Sequence, residues 1–438
     1  MKKNTGYSSA ILQLSRYVKQ QTLDLKKEGM IKLVPVPYLK EKFENLVYKE
    51  GSFTYSSKFE NITIEELDWR DLIDKEKFFY ESEPYKKTLD KLSESFNNVT
   101  RDQLNYYLSR LINRLIFEIV NGSTDERIEE IAISFTRDLE GTPNYWNPLV
   151  WLTGIWMQDE EIEINKNLIF RIPKEEDIAK KYDLSIFPPI TYYFGRLQHM
   201  NPMSIMELSI KGKGQPEIHF ELQKLMVLLR LYKIGSVQIL KTEWKTDSII
   251  NFGGTTTSGI DYFSPYKYPL SKEDSARLKK FLDIIGPLIP KESYESRSST
   301  ENTDFSVIAI QRYMDAILKS EINESRLTFA IMSLESIYLK EMERDELEHR
   351  LSQRLAKLLG FCNFNKLEVY NTLMRSYGIR SSFVHGSPIS QDRINEARKL
   401  LEKVLEYDRL SILIFLQLKN EKKKDALLSC QVSNVTLV

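Results

Sequence analysis

From residue 305 onward the apolar side chains recur at intervals of three and four, a periodicity that restricts this part of the chain to packed helices. Leu327, Ala330, Ile331, Leu334, Ile337 and Tyr338 form one stripe, on a helix that begins at Asn323. Leu347, Leu351, Leu355, Leu358 and Leu359 form a second, with Asp345 and Glu348 as its capping pair, and Asn365 with Glu368 caps a third. A fourth helix is predicted over 390–418, and 305–318 supplies another in front. About five helices with short connections make a compact bundle. The tail, 420–438, with Lys422, Lys423 and Lys424, is expected to be flexible.

The chain upstream reads differently. Thr100 and Gln103 make a capping box, Leu104, Leu108, Leu111, Leu115 and Ile119 the stripe behind it, and Gly122 the stop, so 1–140 is expected to be mostly helical. EIEIN and LIFRIP alternate apolar and polar around Asn165, Lys166 and Asn167, which predicts two strands and a turn. Met206, Leu208 and Ile210 alternate, Ile218, Leu222, Leu225, Leu229 and Tyr232 follow helical spacing, and Val237 and Ile239 alternate again: strand, helix, strand. Ser271 as N-cap and Gly286-Pro287 as stop bound a further helix. The mixed α/β region therefore spans 141–289, as its own unit or as one with 1–140. PKESYESRSSTENTD, 290–304, lacks apolar periodicity and is the expected linker before a helical domain at 305–419. The fold class is α+β: a mixed α/β region followed by an all-α helical bundle.

At 438 residues, two or three domains are the prior. The chain carries 62 basic and 62 acidic residues, so no global field gathers nucleic acid, and phosphate binding has to come from a local patch. Cys362 and Cys430 show neither zinc spacing nor a disulfide framework, which fits a reducing compartment. The start has no signal-peptide apolar run, and the longest apolar run, 410–418, is too short for a bilayer, so a cytoplasmic protein without a membrane partner is expected.

One stretch carries chemistry: RSYGIRSSFVHGSP, 375–388, in which four residues separate Arg380 from His385, one of only four histidines. Together with TFAIMSLESIYLKEMERDELEHRLSQRLAKLLGF and YNTLMRSYGIRSSFVHG, it resembles the Apea-like branch of the HEPN superfamily, whose hallmark is an Arg, four to six residues and a His. The resemblance covers roughly 303–418, with a looser one over 204–237. It implies a HEPN-like domain and a metal-independent ribonuclease that needs no cofactor, working as a homodimer whose two Arg-His motifs line one composite site. It implies a role as a toxin or in antiphage defence (abortive infection), with a phage-derived trigger as a partner besides RNA. Carried over, Arg380 and His385 are catalytic; Ser381 stands where many of these nucleases have Asn, Asp or His.

The residue types suit that reaction. RNA supplies its own nucleophile, the 2′-hydroxyl, so cleavage needs a base, an acid for the leaving 5′-oxygen, and positive charge on the phosphate. Imidazole, with an ordinary pKa of ~6.5, exchanges protons near neutrality, and guanidinium grips phosphate oxygens in pairs. The products would be a 2′,3′-cyclic phosphate and a 5′-hydroxyl. Five helical residues turn through about 500°, leaving Arg380 and His385 roughly 140° apart, so the pair depends on His385 sitting at the helix end, and the second proton-transfer role falls to a partner chain's histidine. The plainer reading is that both residues only cap the helix C-terminus.

Other candidates carry two readings each. Arg350, Arg354 and Lys357 recur at helical spacing and either track an RNA backbone or form a solvated face. Glu335 interrupts an apolar stripe and needs a cation, Arg380 being one candidate, if it is buried. NFGGTTTSG, 251–259, lacks the ending of a phosphate loop and is expected to be a flexible loop; Tyr145, Trp146, Trp151 and Trp156 are assigned to a core. His199, His219 and His349 show no ligand spacing, and His349 is expected to be solvated. The rivals to a ribonuclease are a non-catalytic HEPN-like dimerisation or RNA-binding module, and a nucleotide-handling partner of a transferase.

Overall fold

The computed structural model describes residues 6–31, 33–49, 52–67, 78–178, 181–183, 203–251, 253–258, 268–294, 304–320, 322–340, 343, 345–386 and 390–418. The fold is α+β, with a C-terminal helical part. Its N-terminal elements are helix α1 (Gly6–Lys27), strands β1 (Leu33–Lys49) and β2 (Ser52–Leu67), and helices α2 (Glu83–Ser95), α3 (Arg101–Val120) and α4 (Asp125–Leu139). Leu14 and Val18 of α1, Leu92 of α2, Leu108, Leu111 and Leu115 of α3 and Phe135 of α4 form one buried cluster. α3 begins as expected: the Gln103 N–H donates to the Thr100 hydroxyl and the Thr100 N–H to the Gln103 side-chain Oε1.

β1 and β2 depart from the mostly helical expectation for 1–140. They form a long antiparallel hairpin, in register from Leu33↔Leu67 to Lys49↔Ser52 with one irregularity. Pro35 and Pro37 of β1 share parity along the strand, so both missing N–H groups fall on the same edge and the pairing with β2 survives.

The mixed region adds β3 (Asn144–Trp146), β4 (Leu149–Thr153), β5 (Ile155–Met157), β6 (Glu161–Asn165), β7 (Leu168–Arg171), a one-turn α5 (Glu175–Ile178), β8 (Lys181–Asp183), β9 (Met203–Leu208), β10 (Ile210–Gly212), α6 (Gln215–Tyr232), β11 (Gln238–Trp244), β12 (Gly254–Thr257), β13 (Tyr268–Leu270) and α7 (Asp274–Ile285). Six strands pair in the order β12-β11-β4-β9-β7-β6, every neighbour antiparallel. β9 and β11 consequently run parallel with β4 between them, and the predicted strand-helix-strand unit passes over one strand. The predicted β6–β7 hairpin is present, with Ile162 and Ile164 inward and Glu161 and Glu163 outward. Within NFGGTTTSG, 254–257 is an edge strand, held as the Trp244 indole donates to Thr256 Oγ1 at 3.0 Å, which corrects the loop expected there. Trp146 and Trp151 are core residues, whereas Tyr145 is exposed. α7 begins at Asp274 with Glu273 at its N-cap rather than after Ser271; the Asp274 carboxylate still reaches back to accept from the Ser271 N–H (3.1 Å) and takes the Lys233 ammonium at 2.7 Å.

The C-terminal helices are α8 (Phe305–Leu318), α9 (Asn323–Tyr338), α10 (Leu347–Gly360), α11 (Lys366–Val384) and α12 (Gln391–Leu418). Most of the expected linker, 295–303, lies outside the described residues, as does the tail after 418. One buried cluster runs without a break from Val150 and Phe170 of the sheet through Leu222 and Leu229 of α6 to Tyr313, Leu334 and Ile412 of the helices. No helix among the described residues is long and apolar enough to cross a membrane.

The C-terminus of α6 is the junction. The last four carbonyls of a helix have no partner within it. Here Leu229 O accepts from the Tyr268 hydroxyl (3.0 Å), Arg230 O from the Tyr313 hydroxyl (3.1 Å), and Leu231 O and Tyr232 O from Arg409 Nη1 (2.9 and 3.1 Å). The Arg230 guanidinium turns the other way, donating to Val237 O through Nε and Nη2 at 2.9 and 2.7 Å, which fixes the entry into β11.

A buried acid sits one layer deeper. Asp408 of α12 is fully buried, pairs through Oδ1 with the Ser333 hydroxyl of α9 at 2.6 Å, and leaves Oδ2 without a partner. Burial raises its pKa well above the usual carboxylate range.

Two outcomes follow. Tyr313→Phe removes the donor on a buried carbonyl and is expected to destabilise the chain by about 1–3 kcal/mol in urea unfolding. An acid that holds its proton only when folded loses stability as pH rises above the unfolded pKa, by about 1.4 kcal/mol per pH unit until it ionises in the folded state. Asp408→Asn abolishes that slope, so its stability relative to wild type should grow between pH 4.5 and pH 8; parallel pH profiles of the two proteins would refute the neutral acid.

Candidate functional site

α11 begins with its predicted cap, the Glu368 N–H donating to Asn365 Oδ1 at 3.1 Å. Val369, Thr372, Leu373, Ser376 and Ile379 form its buried stripe. This packing turns Tyr377 and Arg380, one turn apart, toward Glu335 of α9. Arg380 Nη2 lies 3.3 Å from Glu335 Oε2, and the guanidinium carbon stands 5.1 Å from the centre of the Tyr377 ring. Burial, with the Glu335 carboxylate nearby, pushes the Tyr377 pKa up to about 12, so its hydroxyl keeps its proton at all ordinary pH values. Arg380 and Glu335 retain 23% and 19% of their side-chain exposure, and Arg380 Nε is buried with no acceptor. The guanidinium is thus held by one long hydrogen bond and one aromatic face.

His385 is the C-cap of α11. Its N–H donates to Ser381 O at 3.1 Å, and Gly386 follows at φ 67°, in the left-handed region that ends a helix with little strain only for glycine. Ser387 and Pro388, the rest of the expected stop, lie outside the described residues. The His385 ring is exposed and makes no hydrogen bond among the described residues. Because α11 stays helical through Val384, the ring is carried well round the helix from Arg380, and no contact joins the two within one chain. Ser381 is half-buried, and its carbonyl serves the cap. Ser382 accepts from Arg393 Nη1 at 2.6 Å, which ties the end of α11 to the first turn of α12.

The basic row on α10 splits three ways. Arg354 donates from Nη1 to Tyr338 O and Glu343 Oε2, both at 2.7 Å, and from Nη2 to Glu343 Oε1 at 2.6 Å. Arg350 reaches the same carboxylate at 3.4 Å, while Lys357 is exposed. These hydrogen bonds, those of Arg354 first, hold the Glu343 pKa down to about 2. Arg354 therefore clamps the end of α9 to α10 and is committed there. Glu346, in the left-handed region at φ 53°, stands at the N-cap of α10 in place of the expected Asp345. His349 is exposed, as expected for a charged face, yet its Nδ1 lies 2.7 Å from the Tyr370 hydroxyl of α11. His219 packs beside Trp244, and His199 lies outside the described residues.

Two participants escaped the sequence reading. Tyr377 had a usable signal, its three-residue spacing from Arg380. Glu343 had none, since it reaches α10 from a non-helical connection.

Glu343, depressed in the folded state, contributes stability that is fully present above the ordinary glutamate pKa near 4.3 and lost as pH falls toward 2. Glu343→Gln is expected to cost about 2 kcal/mol at pH 7 and less than half of that at pH 2.5 in urea unfolding. Against known proteins, no family model, no curated protein and no solved structure matches this chain.

Proposed function

We propose that the chain is an endoribonuclease of the HEPN type, cleaving RNA through the 2′-hydroxyl with Arg380 and His385. The observation that carries this reading is the arrangement on α11: an exposed imidazole at the cap of the same helix whose preceding turn holds an oriented, incompletely satisfied guanidinium. A phosphate oxygen offers Arg380 the charge-assisted pair that Glu335 meets with one 3.3 Å contact.

In the reaction, one imidazole takes the 2′-hydroxyl proton as the O2′–P bond forms, and a second protonates O5′ as the P–O5′ bond breaks. One histidine per chain serves one of these roles, so the reading requires a homodimer that brings two α11 ends to one phosphate. Glu335 and Tyr377 orient Arg380; Lys357 is the residue of the α10 row left to meet RNA backbone. The role in antiphage defence or as a toxin, a phage-derived trigger and a cytoplasmic setting follow from the family resemblance, as parts of the same proposal. The rival, a non-catalytic dimerisation or RNA-binding module, draws on the same ion pair, since Glu335 already neutralises Arg380.

Cleavage separates them. Purified full-length protein incubated with RNA in chelator is expected to leave 2′,3′-cyclic phosphate ends, and Arg380→Ala or His385→Ala should lower the rate by about 10²-fold or more while dimer and thermal melt are unchanged. Undiminished cleavage by either variant removes that residue from the mechanism, and intact RNA with wild type leaves the binding module.

A further inference from the structure

A cleft of about 980 Å³ opens between α3 and α4, walled on its third side by the segment after β11. Its lining holds four arginines, Arg110, Arg114, Arg127 and Arg137, against two carboxylates, Glu130 and Asp247. In a chain with as many acids as bases, this is a concentrated local positive patch.

Helical spacing makes the patch. Arg110, Arg114 and Phe117 share one face of α3, and Arg127, Ser134 and Arg137 face them from α4. Arg110 is braced, its Nε donating to Ile249 O at 3.1 Å and its guanidinium 5.9 Å from the Tyr106 ring. Arg127 pairs with Glu130 across an exposed contact of 3.1 Å, a surface pair that gives way readily to a better anion, whereas Arg114, itself half exposed, reaches the mostly buried Glu118 at 2.7 Å and is held in place facing the cleft. Arg137 is exposed and makes no ion pair among the described residues. The third wall is rigid, because Asp138 Oδ2 accepts from the Ser248 hydroxyl (2.9 Å) and the N–H groups of Ile249 (2.6 Å) and Ile250 (3.1 Å).

Charge is only half of the lining. Phe117 and Ile133 present exposed apolar surface to the cleft, the first being 44% exposed. Asn113 Oδ1 is buried there with no donor, an acceptor waiting for an N–H or O–H group. Inorganic phosphate would use the arginines and leave these features idle.

We propose that this cleft binds a nucleoside phosphate, its phosphates on Arg114, Arg127 and Arg137, its base against Phe117 and Ile133, and a base or ribose donor on Asn113. The volume suits a ligand of that size, since small-molecule sites span about 300–1,000 Å³. The site is independent of the chemistry at α11 and is tested without it.

Isothermal titration of the full-length chain in chelator, with ATP, adenosine and tripolyphosphate as probes, decides the matter. ATP is expected to bind saturably, adenosine and tripolyphosphate each at least about tenfold more weakly. Arg127→Gln with Arg137→Gln, both on exposed residues, should weaken ATP by about tenfold or more without moving the melt, and Phe117→Ala should weaken ATP but not tripolyphosphate. His385→Ala should bind ATP as wild type does, so failure of the ribonuclease reading leaves this result standing. Four results would overturn the proposal: no saturable binding up to about 5 mM ATP, the double variant binding like wild type, tripolyphosphate matching ATP, or a single-stranded DNA ten-mer outcompeting ATP at the cleft.

Discussion

The four carbonyls that end α6 govern how the rest of the molecule is arranged. They are buried or half-buried, and a buried carbonyl left without a donor costs about 1–3 kcal/mol. Tyr268 from the sheet region, Tyr313 from α8 and Arg409 from α12 supply those donors, so three distant parts of the chain must meet at one helix end. The charges present there suit the place. A helix C-terminus carries partial negative charge, and both Arg230 and Arg409 lie against it or just beyond it. Burial pushes the Arg230 pKa down to about 10, still far enough above neutrality to keep the guanidinium charged. Glu406 offsets the other arginine, accepting from Arg409 Nε at 2.8 Å.

Once α12 is fixed by Arg409, the other C-terminal helices follow through α9, which is bonded on three sides. Ser333 meets Asp408 of α12, Glu335 meets Arg380 of α11, and the Tyr338 carbonyl meets Arg354 of α10. These contacts sit at successive positions along one helix and fall on different faces, which is what a helix at the centre of a bundle provides. The orientation of Arg380 is therefore inherited from the same packing that buries Asp408, and the proposed site rests on the core rather than on a loop.

Local signals in the sequence were legible where local physics decides. The capping pairs at Thr100 and Asn365, the β6–β7 hairpin and the apolar stripes of α3 and α9 all appear in the structure at the expected residues, because each depends on neighbours within a few positions. The β1–β2 hairpin was hidden because two prolines and a run of charges look unlike a strand, and only the partner strand shows that the prolines share an edge. Glu343 and the third wall of the cleft are likewise matters of the folded chain, and composition gave only the hint that phosphate recognition had to be local. At α11 the sequence supplied Arg380, His385 and the Glu335 partner, and not the aromatic face beneath the guanidinium.

The arginines of the helical domain are not equivalent as phosphate ligands, and the difference is one of satisfied donors. Arg354 makes three contacts of 2.6–2.7 Å, two of them to a carboxylate held down to about 2, so releasing it would strand Glu343 and a helix-end carbonyl together. Arg380 makes one contact of 3.3 Å and keeps a buried Nε with no acceptor at all. Exchanging Glu335 for a phosphate oxygen gives up one long contact and offers an acceptor to a donor that folding left unmet. Of these two guanidiniums it is Arg380, on the same helix as the exposed His385 ring, that can change partner without loosening the fold.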